Sequence, residues 1–448
     1  MMTAAGCSRS PGEAQPNIVL IVSDDAGYAD FGAYGGQQIP TPNIDSIARD
    51  GVRFSQGYVT ASVCAPSRAG LLTGRYQQRF GNECNNPGAS GNGMPPEETT
   101  IAEALRALGY RTMIVGKWHQ GWKKQFNPLN HGFDSFFGFR GGGRGYFPEK
   151  PTAPKEHNLY RDFAVQPESS VTYTTEMFTD AAVDFIGQSS EEPFFLYLAY
   201  NAVHVPMQAL RTDFDRFAAI TDEKRRTYAG MTAALDRGVG RVLGALRERG
   251  WEQNTLIFFI NDNGGATNNA SDNGALRGWK GSLWEGGIRV AFMVKWPRRL
   301  AGGIEFTEPV TSLDIMPTAI AAAGGDLRDY PDLDGVDLLP HLLGQKKEPP
   351  HQYLFWRYGP VAAVRHGPWK LIRCEQNPTL LLNLEENPGE SRDYARQYAQ
   401  IASNLLDTVA EWEKGLAAPK WRERERGRRI RIRRHRMEAV PKQDWFAQ

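Results

Sequence analysis

Four short, unbroken apolar runs most restrict how this chain can fold. They read Asn17-Ile-Val-Leu-Ile-Val-Ser23, Arg111-Thr-Met-Ile-Val115, Phe194-Phe-Leu-Tyr-Leu198 and Thr255-Leu-Ile-Phe-Phe-Ile260. Each is short and almost continuously apolar, as expected of a strand buried on both faces of a parallel sheet. Helical patterns over 44–50, 100–108, 174–186 and 226–249 separate or follow them. Strands alternating with helices predict an α/β sandwich around a largely parallel sheet.

Open sheets of this kind carry their sites outside the carboxyl ends of the strands. Asp24 and Asp25 follow the first run, Lys117 and His119 the second, and Asp262 and Asn263 the fourth, while His204 lies shortly past the third. Four clusters distant in sequence therefore converge on one rim. Asp24, Asp25, Asp262 and Asn263 are hard oxygen donors, suited to Ca²⁺ or Mg²⁺. Three carboxylates brought together repel unless a cation lies among them. An Asp pair alone is as readily a cap or a turn; a matching pair at a second strand end favours metal.

Residues 64–75 read Cys-Ala-Pro-Ser-Arg-Ala-Gly-Leu-Leu-Thr-Gly-Arg. Pro66 suits the first turn of a helix. Cys64 then falls at a helix N-terminus, where the dipole and free amides favour anionic chemistry and a reactive thiol. By itself such a cysteine is equally a small buried apolar residue.

Cys-x-Pro-Ser-Arg followed by Leu-Leu-Thr-Gly-Arg resembles the signature of the type I sulfatases. Other segments match that family in order: Ser23-Asp24-Asp25, Gly116-Lys117-Trp118-His119, Asn261-Asp262-Asn263-Gly264, and Trp279-Lys280-Gly281 with Trp284-Glu285-Gly286-Gly287. Trp369-Lys370-Leu371-Ile372 resembles part of the family's small second domain. The resemblance implies an alkaline-phosphatase-like three-layer α/β/α sandwich with a large, mostly parallel mixed sheet. A smaller C-terminal antiparallel sheet packed with a helix would follow. It also implies a sulfuric ester hydrolase in which a formylglycine-generating enzyme oxidises Cys64 to formylglycine. The hydrate of that aldehyde attacks sulfur, the alcohol leaves, and the hemiacetal sulfate collapses to aldehyde and free sulfate. By the same resemblance Asp24, Asp25, Asp262, Asn263 and an oxygen of residue 64 hold calcium, with magnesium as the alternative. Arg68 stabilises the hydrate, and Lys117, His119, His204 and Lys280 surround the sulfate. His204 or Lys280 protonates the leaving oxygen, and His119 assists the collapse.

Trp118, Trp122, Trp279 and Trp284 are interleaved with Lys123, Lys124 and Arg277. Aromatic faces beside cations suit a sulfated sugar, and Arg277 and Trp279 are expected at the substrate; core packing is the alternative. The segment Gly74-Arg-Tyr-Gln-Gln-Arg-Phe-Gly81 resembles the branch acting on galactose-type sulfates, which implies a carrageenan-like polysaccharide or a glycosaminoglycan as partner. Two other readings stay open: a formylglycine-dependent phosphonate or phosphodiester hydrolase of the same superfamily, and a non-catalytic binder of sulfated glycans.

The expected organisation is a leader or signal remnant over 1–15, a catalytic domain over 16–345, a small α+β subdomain over 346–418 and a basic tail over 419–448. Short strands over 353–358, 361–365, 369–373 and 379–383, then a helix over 394–412, make up the subdomain. The glycine-rich stretch 141–145 lacks dinucleotide-loop spacing and reads as a plain loop. Nine arginines between Trp421 and Arg436 form either a solvated basic end or a contact for a polyanionic substrate. A net charge of +1 argues against nucleic acid, and no 18-residue apolar run exists to span a membrane. Four cysteines without metal-type spacing give no support for zinc. Cys84 and Cys374 either pair or are simply buried. Ala4-Ala5-Gly6-Cys7 resembles the end of a lipoprotein signal, so export, in the periplasm or anchored through Cys7, is expected; a cytoplasmic location stays open.

Overall fold

The computed structural model describes residues 14–86, 91–190 and 192–436. Cys7 and most of the expected leader lie outside them. Among the described residues ten strands form one sheet. Its order is Ile304–Phe306, Val52–Phe54, Phe292–Lys295, Thr255–Asn261, Asn17–Ser23, Phe194–Ala199, Arg111–Lys117, Ser135–Phe139, Leu159–Arg161, Ala164–Val165. The stretch from Thr255–Asn261 to Ser135–Phe139 is parallel throughout, and Phe292–Lys295 and Leu159–Arg161 run antiparallel beside it. The sheet is mixed but mostly parallel at its centre.

Alternation along the central strands divides the core into two layers. Val19, Ile21, Leu196, Leu198, Ile257 and Phe259 face one side, against the helices Pro42–Arg49, Thr174–Gln188 and Glu223–Glu248. Ile18, Leu20, Val22, Phe195, Tyr197, Leu256 and Phe258 face the other, against Cys64–Thr73, Ile101–Ala107 and Ile315–Ala322. All of these strand side chains are fully buried, and burying each such side chain stabilises by about 1.5–3 kcal/mol. That two-sided burial is why the runs read as continuously apolar.

The four anticipated apolar runs are all strands, two of them extended into polar residues. Arg111–Lys117 carries Lys117, and Thr255–Asn261 carries Asn261. The remaining strands of this sheet were not singled out from the sequence. Several are only two to four residues long, and Val52–Phe54 and Ile304–Phe306 carry a charged residue at their centre.

Toward the C-terminus, Leu354–Tyr358, Val361–His366, Trp369–Cys374 and Leu380–Asn383 form a four-stranded antiparallel sheet in chain order. The helix Ala399–Lys414 covers one face through Ala402, Leu405 and Val409. On the other, Trp356, Ala363, Ile372 and Leu382 pack on Tyr58, Val63, Leu283, Trp284 and Ile288 of the larger body. Cys84 is a buried thiol in this second layer, which also contains Cys374, so the choice between a Cys84–Cys374 bond and burial goes to burial. The arginine-rich tail is not simply solvated. It forms the helix Glu425–Arg436, and Trp421, Arg431, Ile432 and His435 are buried against the body.

Lys370, on the strand Trp369–Cys374, ties the small sheet to the larger body through buried ion pairs. Its ammonium donates to Glu285 at 2.8 Å and to Glu390 at 2.9 Å, and none of the three side chains reaches solvent. Breaking a buried pair by removing one partner is costly. Lys370→Ala should destabilise the protein by about 3–5 kcal/mol, whereas Arg49→Ala, which removes an exposed pair with Asp50, should leave the denaturation midpoint almost unchanged. Chemical-denaturation curves of the two variants check this.

Candidate active site

Because the central strands are parallel, their carboxyl ends share one edge. There the chain leaves Asn17–Ser23 into Asp24 and Asp25. The backbone of Asp24 continues the ladder, donating to Ala202 O and accepting from Val203 N, both at 2.9 Å. Asp25 then turns at φ 61°, and His119, past Arg111–Lys117, turns at φ 56°. Left-handed backbone at non-glycine residues is strained and tends to collect at functional sites. Asp262 and Asn263 follow Thr255–Asn261, and the Asp262 amide donates to Ser23 O at 3.1 Å.

The helix Cys64–Thr73 enters from the layer beneath, buried at every position. Its preceding residue Val63 is extended, so Cys64 is the first helical residue, with Pro66 in the first turn. The thiol is 1% exposed. Its Sγ lies 3.0 Å from Lys280 Nζ, 3.6 Å from Asp24 Oδ1 and 3.8 Å from Asp25 Oδ1. One turn on, Arg68 Nε donates to Asp262 Oδ2 at 2.9 Å and its Nη1 donates to Lys117 O at 3.2 Å. Lys117 Nζ donates to Asp24 at 2.7 Å, and Lys280 Nζ lies 2.7 Å from Asp25 Oδ1. Asn263 Nδ2 donates to Asp25 at 2.8 Å. His204 Nε2 stands 3.6 Å from Asp25 Oδ2, and its Nδ1 is 2.6 Å from Val205 O. A carbonyl only accepts, so Nδ1 carries the proton and Nε2 is the nitrogen that faces the site.

Three buried carboxylates thus meet three permanent cations. Burial pushes the Asp24 carboxyl up, but Lys117, His204, Arg68 and Lys280 together outweigh it and hold Asp24 far below the usual range. Asp25 is also held low, by Lys280 and His204 against the effect of burial. Asp262 is pushed up to about 6 by burial and by Asp24, in spite of Arg68. Burial, with Asp262 beside it, pushes the Cys64 thiol well above its ordinary value, so as a thiol it stays protonated. Burial likewise pushes His119 and His204 down, favouring neutral imidazoles. Lys280 is driven up: burial alone would lower it, and Asp25 with its neighbours more than reverses that.

Comparison with known proteins agrees with this arrangement. The sulfatase family model matches residues 16–325. Bovine arylsulfatase A is 34% identical, over 89% of this chain and 87% of the relative. Pig N-acetylgalactosamine-6-sulfatase is 33% identical, over 83% of this chain and 74% of the relative. The chain belongs to the sulfatase family. Among solved structures, Ps i-CgsB in complex with k-i-k-neocarrahexaose superposes with a TM-score of 0.87 at 35% identity, covering 96% of this chain and 99% of that one. A phosphonate monoester hydrolase of Agrobacterium radiobacter matches at a TM-score of 0.66 and 21% identity, which shows a shared fold. This protein is therefore a sulfatase enzyme with an alkaline-phosphatase-like fold, and the reading of the chain as a non-catalytic glycan binder is set aside.

The sulfatase gathers Asp24, Asp25, Cys64, Arg68, Lys117, His204, Asp262, Asn263 and Lys280 around one point. His119 lies at the same rim, 8% exposed, with its Nδ1 free of any hydrogen-bond partner. Two of the aromatic residues expected to meet sugar are placed otherwise. Trp118 is fully buried and donates its indole N–H to Phe126 O at 2.7 Å; Trp284 is 3% exposed, between His435 and the guanidinium of Arg277. Trp118 and Trp284 are core residues, which corrects the sugar-stacking expectation for both. Arg277 lies 4.1 Å over Trp284 and donates to Glu390 O at 2.7 Å, so its charge ties this loop to the small sheet. Trp279 is 9% exposed, on the loop just before Lys280.

The glycine-rich stretch 141–145 is more than a plain connection. A Cβ at Gly142 would stand 2.6 Å from His119 Nε2, and one at Gly143 would stand 3.2 Å from His204 Cε1. The backbone here presses on the edges of both histidines, and Tyr146 just beyond donates its hydroxyl to Asn201 O at 2.5 Å. Consecutive glycines were the available signal; set against dinucleotide-loop spacing they read as a plain loop rather than as a place of close approach. Gly142→Ala should displace His119 and lower kcat about ten- to hundredfold with the fold retained; steady-state kinetics beside a circular dichroism spectrum check it.

Proposed function

We propose that this sulfatase removes sulfate from a sulfated carbohydrate, galactose-type units of a carrageenan-like polysaccharide or a glycosaminoglycan, through a formylglycine made from Cys64 and with calcium at the strand ends. The observation that carries the reading is the buried thiol at a helix N-terminus, within 3.0–3.8 Å of Lys280, Asp24 and Asp25. As a thiol it is dry and protonated, a poor nucleophile; converted to an aldehyde, it no longer depends on losing that proton. Likeness to Ps i-CgsB, whose structure holds a neocarrahexaose, supports the carbohydrate.

The donor set fits a hard divalent cation. Asp24, Asp25, Asp262 and Asn263 all offer oxygen, and Asn263 Oδ1 is buried with no hydrogen-bond partner, an acceptor left for an ion. Without an ion, three carboxylates balance Arg68, Lys117 and Lys280. Two further positive charges would make the pocket cationic, as an entering sulfate ester requires. Formylglycine supplies, as its hydrate, the hydroxyl that attacks sulfur and the means to expel sulfate afterwards.

The chain's own residues do the rest. Arg68 is pinned by Asp262 and directs its Nη2, which has no hydrogen-bond partner, into the cluster to hold negative charge on residue 64. Lys117 and Lys280 exchange their carboxylate contacts for sulfuryl oxygens. Lys280 delivers the proton to the leaving oxygen from its ammonium, or His204 does so through Nε2 once that nitrogen has taken up a proton beside the Nδ1–H held by Val205 O, and His119 takes part in release of sulfate. Net, the ester and one water give the alcohol, sulfate and a proton.

Sulfate release from sulfated galactan and glycosaminoglycan oligosaccharides tests the reading, with matched aryl sulfate and aryl phosphonate esters alongside. Release from a sulfated sugar, lost in Cys64→Ala, is expected; faster phosphonate cleavage would favour the phosphonate hydrolase. Chelation should abolish turnover and lower the melting temperature, and added calcium should restore both. His204→Ala or Lys280→Ala, whichever residue is the acid, should slow alkyl sulfates far more than activated aryl sulfates. Equal losses on both esters in both variants would remove the proton-donor role.

A further inference from the structure

The loop that carries Lys280 is held from three directions. Gly281 N–H donates to Ser62 O at 2.7 Å, two residues before Cys64, and Lys280 N–H donates to Gly265 O at 3.0 Å, two residues past Asn263. The third hold comes from the C-terminal helix Glu425–Arg436. Arg431 Nη1 donates to Gly281 O at 2.8 Å, and Arg434 Nη1 lies 3.5 Å from Lys280 O.

Arg431 is unlike the arginines around it. Arg429, Arg433 and Arg434 are exposed, whereas Arg431 is 7% exposed. Its guanidinium lies 3.3 Å from the centroid of the Tyr358 ring. Nε donates to Glu423 at 2.8 Å, and Nη2 donates to Glu423 and to the Tyr358 hydroxyl. A planar fork fixed by a carboxylate and by an aromatic face has little freedom in where its remaining N–H groups point; here they point at the Gly281 carbonyl. The approach needs glycine, since Gly281 sits at φ +84° and a Cβ there would stand 3.1 Å from Arg431 Nη1.

We propose that Arg431 is a positioning residue for Lys280, and that the basic C-terminal helix is through it a working part of the active site. The proposal rests on the reading of Lys280 as a group that faces the sulfate. A lysine reaches its target on a long flexible stem, so the position of its ammonium depends on where the loop backbone is anchored. With Arg431 in place, that ammonium meets Asp25 at 2.7 Å and Cys64 Sγ at 3.0 Å. Without it, Gly281 O loses its charged donor, Glu423 loses its partner, and the loop keeps two holds of three.

A double-mutant cycle on the full-length protein, with conversion of Cys64 measured by mass spectrometry in each variant, tests this. R431A should lower kcat on an aryl sulfate about ten- to hundredfold, with KM nearly unchanged. In a K280A background the same substitution should cost at most about twofold more, because the group it positions is gone. R429A, an exposed neighbour, should keep wild-type turnover. Should R431A fail to fold, R431K keeps the charge but loses the fork, and the same non-additivity should hold with smaller losses. Equal fold-losses in both backgrounds, or unchanged kcat in R431A, would overturn the proposal. Wild-type turnover in K280A alone would instead overturn the role of Lys280, a distinct outcome.

Discussion

Three carboxylates out of reach of water govern the arrangement of this sulfatase. Asp24, Asp25 and Asp262 are at most 1% exposed, and each buried ion carries a desolvation cost of several kcal/mol that only close counter-charges offset. Those counter-charges arrive from separate places: Lys117 from a strand two removed in the sheet, Arg68 from a helix below it, Lys280 from a loop late in the chain. None is near the carboxylates in sequence. The parallel sheet makes the meeting possible, because its register sets Ser23 beside Asn261 and Val22 beside Ala199, with Gly116 beside the same Ala199. Strand ends brought level deliver their next residues to one place. The site therefore depends on the sheet, and these strand ends hold buried charges that stay paired only while the site is assembled.

The C-terminal part of the chain is tied into the same arrangement. The segment from Trp279 to Gly287 holds Lys280 near one end and Glu285 near the other. Glu285 is gripped by Lys370 of the small sheet, and the Lys280–Gly281 backbone by the last helix. Trp284, between them, packs on His435 and Arg277. The small sheet and helix thus bear on both sides of a loop whose lysine reaches Cys64 Sγ. The Trp-Lys-Leu-Ile segment, met in the sequence as a family resemblance, has a physical role here: it places a lysine where a buried glutamate needs one.

Much of the fold was legible because the central strands are buried on both faces. Such strands are apolar almost to their ends, so each run and the Asp, Lys or Asn that closes or follows it could be read directly. The short outer strands were not, since Arg53 and Glu305 pair with each other across them and interrupt any apolar pattern. Within the site, the residues that meet at the strand ends were readable from motif and strand end. The contact of the last helix with the Lys280 loop was not. Arg431 looked like one arginine among nine, and only its packing on Tyr358 distinguishes it. Trp118 and Trp284 erred the other way: aromatic residues beside cations suggested a sugar surface, yet Trp118 is enclosed in the core and Trp284 is covered by His435 and Arg277.

Gly142 and Gly143 carry the same lesson to specificity. What they contribute is the lack of a side chain, so that backbone reaches the edges of His119 and His204. A loop held this close limits which edge of each imidazole any group can meet. His204 is limited twice, its Nδ1 committed to Val205 O and its ring edge covered by Gly143, which leaves Nε2 as the nitrogen directed to the site. On the proposed reading, charges at the strand ends meet the sulfuryl end of the substrate, and the end that departs as an alcohol meets a surface shaped by glycine. Discrimination among substrates would, on that reading, turn on the path of the backbone through 141–145, where a Cβ at Gly142 would stand 2.6 Å from His119 Nε2.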